Sequence, residues 1–190
     1  MLLEIKNLYK SFGDKKIFED FSLSLDYGEK IALIGKTGSG KTTLVNLILK
    51  NTEPDKGKIF FSGSLSMVFQ ENRLLEDFSV YENLKLVREM DLSKCEILLE
   101  KMLLKGSSKE KVKNLSGGMK RRLTLLRGLI FESDLIILDE ALREIDQATK
   151  DKVLENAREY LSGRSLIYIS HDLDEIKKLG IERIINLDDI

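Results

Sequence analysis

The segment Gly35-Lys36-Thr37-Gly38-Ser39-Gly40-Lys41-Thr42 constrains this chain more than any other stretch. Before it stands GEKIALIG, an apolar run ending in glycine that reads as a buried parallel strand; after it, LVNLILK continues as an apolar helix. Glycines let backbone N–H groups turn inward and approach phosphate oxygens that a side chain would keep away. The helix starting near Lys41 offers its unpaired N–H groups and positive dipole end to the same anion. Lys41 supplies a charge for the β- and γ-phosphates, and the Thr42 hydroxyl is suited to Mg²⁺. The spacing G-x-x-x-x-G-K-[ST] in a strand–loop–helix setting predicts a nucleotide-phosphate site at Gly35, Lys36, Thr37, Gly38, Ser39, Gly40, Lys41, Thr42 and Thr43.

Two further strand ends carry groups suited to the same site. LIILDE is an apolar strand delivering Asp139 and Glu140 at its C-terminal end, where a parallel sheet places ligands. Asp139 is the metal-side candidate, acting through water because Mg²⁺ keeps much of its hydration shell. Glu140 is placed to orient and deprotonate an attacking water. SLIYIS ends at His171, the only histidine, which predicts a γ-phosphate contact. Gln70 ends the strand-like LSMVFQ and could reach both metal and water. Alone, each has a bland reading: DE after a strand is common loop punctuation, and a lone histidine is usually structural. Their shared position at strand ends beside a phosphate loop decides for the catalytic reading.

LLEIKNL and FSLSLDYG read as alternating strands joined by a turn, and strand signals return in DLIILDE, SLIYISH and ERIINL. From about residue 71 to 133 the pattern changes to apolar residues at three- and four-residue spacing, in VYENLKLVREM and CEILLEKMLLKG. This predicts an α/β fold with a mostly parallel sheet, N-terminal antiparallel β elements and an inserted helical subdomain. The 190 residues suit one domain, with 1–70 and 134–190 forming the core and 71–133 the helical insert.

Charge excludes one class of partner. Lys and Arg number 31 against 32 Asp and Glu, a net charge of −1, so there is no global attraction to nucleic acid or acidic lipid. The single cysteine, Cys95, lies among helical apolar residues and reads as packing rather than a reactive thiol. No stretch approaches the roughly 18 apolar residues a membrane span needs, and charge at Glu4 and Lys6 interrupts any leader-like N-terminus. The expectation is a cytoplasmic chain whose membrane role comes through a partner.

At Leu115-Ser116-Gly117-Gly118-Met119 the chain resembles the signature motif of ATP-binding-cassette (ABC) ATPases, and the resemblance extends over nearly its whole length. It implies a P-loop NTPase core, with Gly35–Thr42 as the Walker A loop and Asp139–Glu140 as the Walker B pair. By the same resemblance Phe12 stacks on adenine, Gln70 is the glutamine loop, Asp146 the inter-subunit aspartate and His171 the switch histidine. Ser116, Gly117 and Gly118 would contact the γ-phosphate held by a second copy, so that ATP closes a homodimer. The cofactors implied are ATP and Mg²⁺. The partners implied are integral membrane permease subunits and, for an importer, an extracytoplasmic solute-binding protein, with the chain peripheral on the inner face of the cell membrane.

Met119 and VFQENRLLEDFSVYENL are similar to nitrate-, sulfonate- and taurine-type importer ATPases, and SSKEKVKN lacks the Glu/Gly/Arg-rich element of many exporters. Import is therefore the expected direction. Ala141 stands where the family has proline, and Arg143-Glu144-Ile145-Asp146 replaces Ser-Ala-Leu-Asp, with only the aspartate kept. Behind the signature, Met119, Leu123, Leu126 and Ile130 form an apolar helix face, and Lys120, Arg121, Arg122 and Arg127 are expected on the solvated side. Two rivals are weaker. A soluble ATP-switch scaffold usually carries two cassettes or a long coiled-coil insertion, and a small-metabolite kinase leaves LSGG and His171 without a role.

Overall fold

The fold begins from strands with four consecutive apolar residues each. In β3 (Lys30–Ile34), β6 (Leu135–Asp139) and β7 (Ser165–Ile169) the side chains alternate between two separate cores. Ile31, Leu33, Leu135, Ile137, Ile167 and Ile169 enter one core, while Ala32, Ile136, Leu138, Leu166 and Tyr168 enter the other. A sheet buried on both faces needs such runs, and its parallel strands need helical crossovers. With β5 (Leu65–Val68) and β8 (Arg183–Asn186) these strands form a parallel sheet in the order β5-β6-β7-β3-β8. These features come from a computed structural model, which describes residues 1–189.

One face is covered by a three-stranded antiparallel sheet, order β2-β1-β4, from β1 (Leu3–Phe12), β2 (Lys15–Leu25) and β4 (Lys56–Phe61). Helix α1 (Lys41–Ile48) shares that core through Leu44, Val45, Leu47 and Ile48. The other core is helical, from α2 (Val80–Lys85), α3 (Leu92–Lys101), α4 (Gly117–Ile130), α5 (Gln147–Tyr160) and α6 (Leu173–Lys178). Cys95 is fully buried there, and burial pushes its thiol up to about 11, the behaviour of a packing residue.

Polar side chains at the helix starts define where each begins. Ser79 and Glu82 form a reciprocal capping box on α2, and Asp91, Asp146 and Asp172 cap α3, α5 and α6. Helix α4 lies directly on β5. A Cβ built on Gly128 would stand 2.3 Å from Val68 Cγ2, so only glycine admits this approach. The Ser66 hydroxyl seals it by donating to the Gly128 carbonyl at 2.9 Å. The helix that follows Leu115–Gly118 is thereby held against the strand that leads to Gln70.

Candidate active site

Because the core strands run parallel, their C-terminal ends open on one edge. The loop after β3, Gln70 after β5, Asp139 and Glu140 at the end of β6, and His171 after β7 all meet there. A cavity of about 530 Å³ is lined by Thr37, Gly38, Gly40, Lys41, Thr42, Thr43, Gln70, Asp139, Glu140 and His171, with Phe12 at its mouth. The structure thus gathers residues from five separate segments of the chain.

The phosphate loop is shaped by glycine. Gly35, Gly38 and Gly40 have φ of 144°, 84° and 104°, the left-handed side that L side chains avoid. A Cβ on Gly40 would meet Ile17 and Phe18 within 3.0 Å, and one on Gly35 would stand 2.6 Å from Ser39 Oγ. The Lys41 ammonium donates to the carbonyls of Gly35 and Lys36. Asp188 braces the loop from the far end of the chain, accepting from the Lys36 N–H at 2.9 Å. Ser39 Oγ is buried without a protein partner, a polar atom left for a ligand. Phe12 is half exposed, with the Lys10 ammonium 5.2 Å from its ring centroid.

The carboxylates sit in contrasting surroundings. Burial, reinforced by the charge of Glu140, pushes the Asp139 pKa up, and Arg121 and Lys41 oppose the shift. A buried carboxylate of this kind gains from a cation beside it. Among the described residues no group of three His, Cys, Asp or Glu side chains forms a metal cage. One carboxylate, the Thr42 hydroxyl and the Gln70 amide on a shared cavity fit Mg²⁺, which is normally completed by waters and substrate phosphates. Glu140 has φ of 45°, a strained conformation for a non-glycine residue. Its carboxylate lies between two side chains, with Arg143 Nη1 at 3.3 Å and His171 Nε2 at 3.7 Å.

Ser116, Gly117, Gly118 and Asp146 do not line this cavity. Ser116 caps α4 by accepting from the Met119 N–H at 3.3 Å, and the next two glycines face Glu144. Asp146 caps α5, accepting from the Thr149 N–H at 3.0 Å, which holds its carboxyl below the usual range.

The basic residues of α4 correct the expectation of a solvated face. Arg121 is 2% exposed, and its five N–H donors reach five backbone carbonyls. Nη1 donates to Phe69 (2.7 Å) and Gln70 (3.0 Å), Nη2 to Asp139 (3.0 Å) and Glu140 (2.7 Å), and Nε to Ala141 (2.9 Å). Arg122 bonds the carbonyls of Met102 and Leu103, Arg127 that of Arg73, and Lys120 pairs with Glu76. Helix α4 is buried on nearly every side, so its polar side chains must find partners within the protein. Arg121, Thr124 and Arg127 recur at three-residue spacing, a signal that they share a face.

Three other contributors were not evident in the sequence. Lys15 and Arg143 line the cavity, with Lys15 Nζ 3.4 Å from the Gly38 carbonyl. Glu175 is 5% exposed and accepts from Lys150 (2.7 Å), Tyr168 (2.5 Å) and Ser170 (2.8 Å). This cluster ties α5 to the residues flanking His171.

The same combination occurs in known proteins. Residues 18–143 match the family model described as ABC transporter. The Nod factor export ATP-binding protein I of Cupriavidus metallidurans is 32% identical over 94% of this chain and 65% of its own length. The aliphatic sulfonates import ATP-binding protein SsuB 1 of Shouchella clausii is 32% identical over 95% of this chain and 75% of that protein. The chain thus spans about two thirds to three quarters of the length of these relatives. The solved structure of a bacterial Atm1-family ABC exporter with ATP bound superposes with a TM-score of 0.85 at 23% identity, covering 98% of this chain and 37% of that one, which shows a common fold. A phosphate loop and a strand-end carboxylate pair in one cavity, and a glycine-led signature helix outside it, thus coincide with a family match through both, and the chain belongs to the ATP-binding-cassette ATPases of ABC transporters.

Proposed function

We propose that this chain is the ATP-hydrolysing subunit of a membrane transporter, closing as a homodimer on ATP and passing the motion to permease subunits. The observation that carries this reading is the division of parts. The phosphate loop, Gln70, Asp139, Glu140 and His171 share one cavity, and Ser116–Gly118 lies outside it. A glycine-led helix start with no carboxylate in its own first turn suits an anion, and a second copy supplies one in place of the Glu144 carboxylate beside Gly117.

In this mechanism Phe12 stacks on the adenine, and the backbone of Gly35–Thr43 with Lys41 holds the phosphates. Thr42, Gln70 and, through water, Asp139 would hold Mg²⁺, which supplies charge neutralisation of the β- and γ-phosphate oxygens. Glu140 accepts the proton of the attacking water, and Gln70 helps to orient that water. His171 contacts the γ-phosphate, and Asp146 faces the opposing copy. Cleavage removes the charge that the signature glycines grip, so the dimer reopens.

On this reading membrane-embedded subunits carry the transport path and the chain lies on the inner face of the cell membrane; among the described residues no helix is long and apolar enough to cross a membrane. For direction we propose import, with an extracytoplasmic solute-binding protein as a third partner. The sulfonate-import relative supports that choice, and Nod factor export relatives stand beside it. The transporter reconstituted in vesicles separates the two, since import carries solute toward the ATP-containing side and export carries it away.

The central test is Glu140→Gln. The variant is expected to bind ATP, lose hydrolysis by about 10²–10⁴-fold, and elute as a stable dimer with ATP and Mg²⁺. A monomer under those conditions, alone and with the permease present, would overturn the sandwich mechanism.

A further inference from the structure

We propose that Arg121 is a positioning residue that makes the signature helix, the loop carrying Gln70 and the strand end carrying Glu140 move as one body. The inference rests on the ATPase reading and adds a connection within one subunit. Arg121 stands five residues after Ser116, inside α4, and its side chain is 2% exposed. Its acceptors belong to two segments at the ends of the neighbouring strands β5 and β6: Phe69 and Gln70 on one, Asp139, Glu140 and Ala141 on the other.

A guanidinium has five N–H donors in a rigid plane, and all five are used. Each is a charge-assisted bond to a backbone carbonyl. Among the described residues no carboxylate pairs with Arg121 at hydrogen-bond distance, so these backbone dipoles hold the guanidinium in place while the nearby charges of Glu144, Asp139 and Glu140 help to balance it. Losing any one of the three contacting elements leaves part of a buried cation unsatisfied. That makes partial separation costly and concerted motion cheap.

Neighbouring contacts reinforce one of the two seams. Thr124 donates to the Asn72 carbonyl at 3.0 Å and Arg127 to that of Arg73 at 2.7 Å, so the segment after Gln70 is fastened along α4 by consecutive turns. Among the described residues the end of β6 is hydrogen-bonded to α4 by the Arg121 fork alone, beside apolar packing of Leu138, Ala141 and Leu142. A force that shifts α4, from a phosphate gripped by Ser116–Gly118 or a partner pressing near Gln70, therefore reaches the Glu140 backbone with one side chain as its directional polar link.

Lysine keeps the charge but brings three donors on a flexible stem, so Arg121→Lys tests the fork and not the charge. Two measurements on the full chain decide. Amide exchange should quicken at least tenfold in both 70–73 and 140–145, with α1 and β7 unchanged. Turnover should fall at least tenfold with KM for MgATP within threefold, because Lys41 and the phosphate loop are intact. Unchanged exchange in either segment, or faster exchange with unchanged turnover, overturns the proposal. Faster exchange throughout the protein assigns Arg121 to fold stability alone and overturns it as well. A wild-type chain without turnover defeats the ATPase reading, and the exchange measurement still decides the coupling.

Discussion

Two helices of this protein begin on glycines, and they serve opposite ends. Helix α1 starts from Gly40 with no side-chain cap, while α4 starts from Ser116, whose hydroxyl caps it. Neither has an acidic residue in its own first turn, and the start of α4 has the Glu144 carboxylate beside Gly117. The start of α1 opens into a cavity that also holds Gln70, Asp139 and Glu140; the start of α4 does not. The first shares its cavity with the carboxylates of its own chain. The second is the same physical device outside that cavity, and on the proposed mechanism another copy brings its anion.

The largest expected effect separates these roles. Lys41→Ala and Ser116→Arg should each lower hydrolysis by about 10²–10³-fold, and only the lysine variant should lose ATP binding. Mixing the two should restore activity, because one composite site regains a normal phosphate loop from one chain and a normal signature from the other. Phosphate release that stays at the level of the separate variants would mean that both helix starts serve the same chain.

Asp139→Asn sharpens the account of the cavity. Hydrolysis should fall by about 10²-fold as the metal-side carboxylate is lost. Stability should move the other way. With its pKa raised, Asp139 holds its proton more tightly folded than unfolded. The stability this provides is present below the ordinary carboxylate range and is lost as pH rises through the elevated folded value. The asparagine variant should therefore lose less stability between acid and neutral pH, read as a flatter melting temperature against pH.

Gly128→Ala probes the packing behind the start of α4. The added methyl meets Val68, a β-branched side chain with little freedom to turn away. A loss of about 1–3 kcal/mol is expected, measured by denaturant unfolding. The smallest effect belongs to Arg143→Ala. Its pair with Glu140 is solvent-accessible, and such pairs contribute little. Turnover should change by less than about fivefold. A larger increase would show that Arg143 restrains the glutamate.

The two sites were unequally legible in the sequence. Gly35–Thr42 declares itself because every requirement is local: a buried strand before it, a helix after it, and glycines where φ is positive. Asp139, Glu140 and His171 were legible because each ends an apolar strand, and parallel strands end on one edge. Arg121 was misread as a solvated residue of a basic run. A basic residue on a helix is solvated when that helix has an open face, and α4 has almost none. Lys15 and Glu175 left no signal, since the first depends on how the β1–β2 hairpin lies over the phosphate loop and the second on three partners scattered from Lys150 to Ser170.

Sequence by itself determined the chemistry of the phosphate loop, the alternation that buries both faces of the sheet, and the carboxylates at its edge. Backbone conformation and side-chain direction follow from residues a few positions apart, and that information is written locally. Only the tertiary structure decided which charges are buried and what they hold. A guanidinium becomes a strut between two segments when carbonyls from Phe69 to Ala141 converge on it, and that convergence exists only once α4 has packed onto β5. It also decided that one glycine-led helix start faces its own chain's cavity and the other faces away, because direction in space is a property of the packed layers.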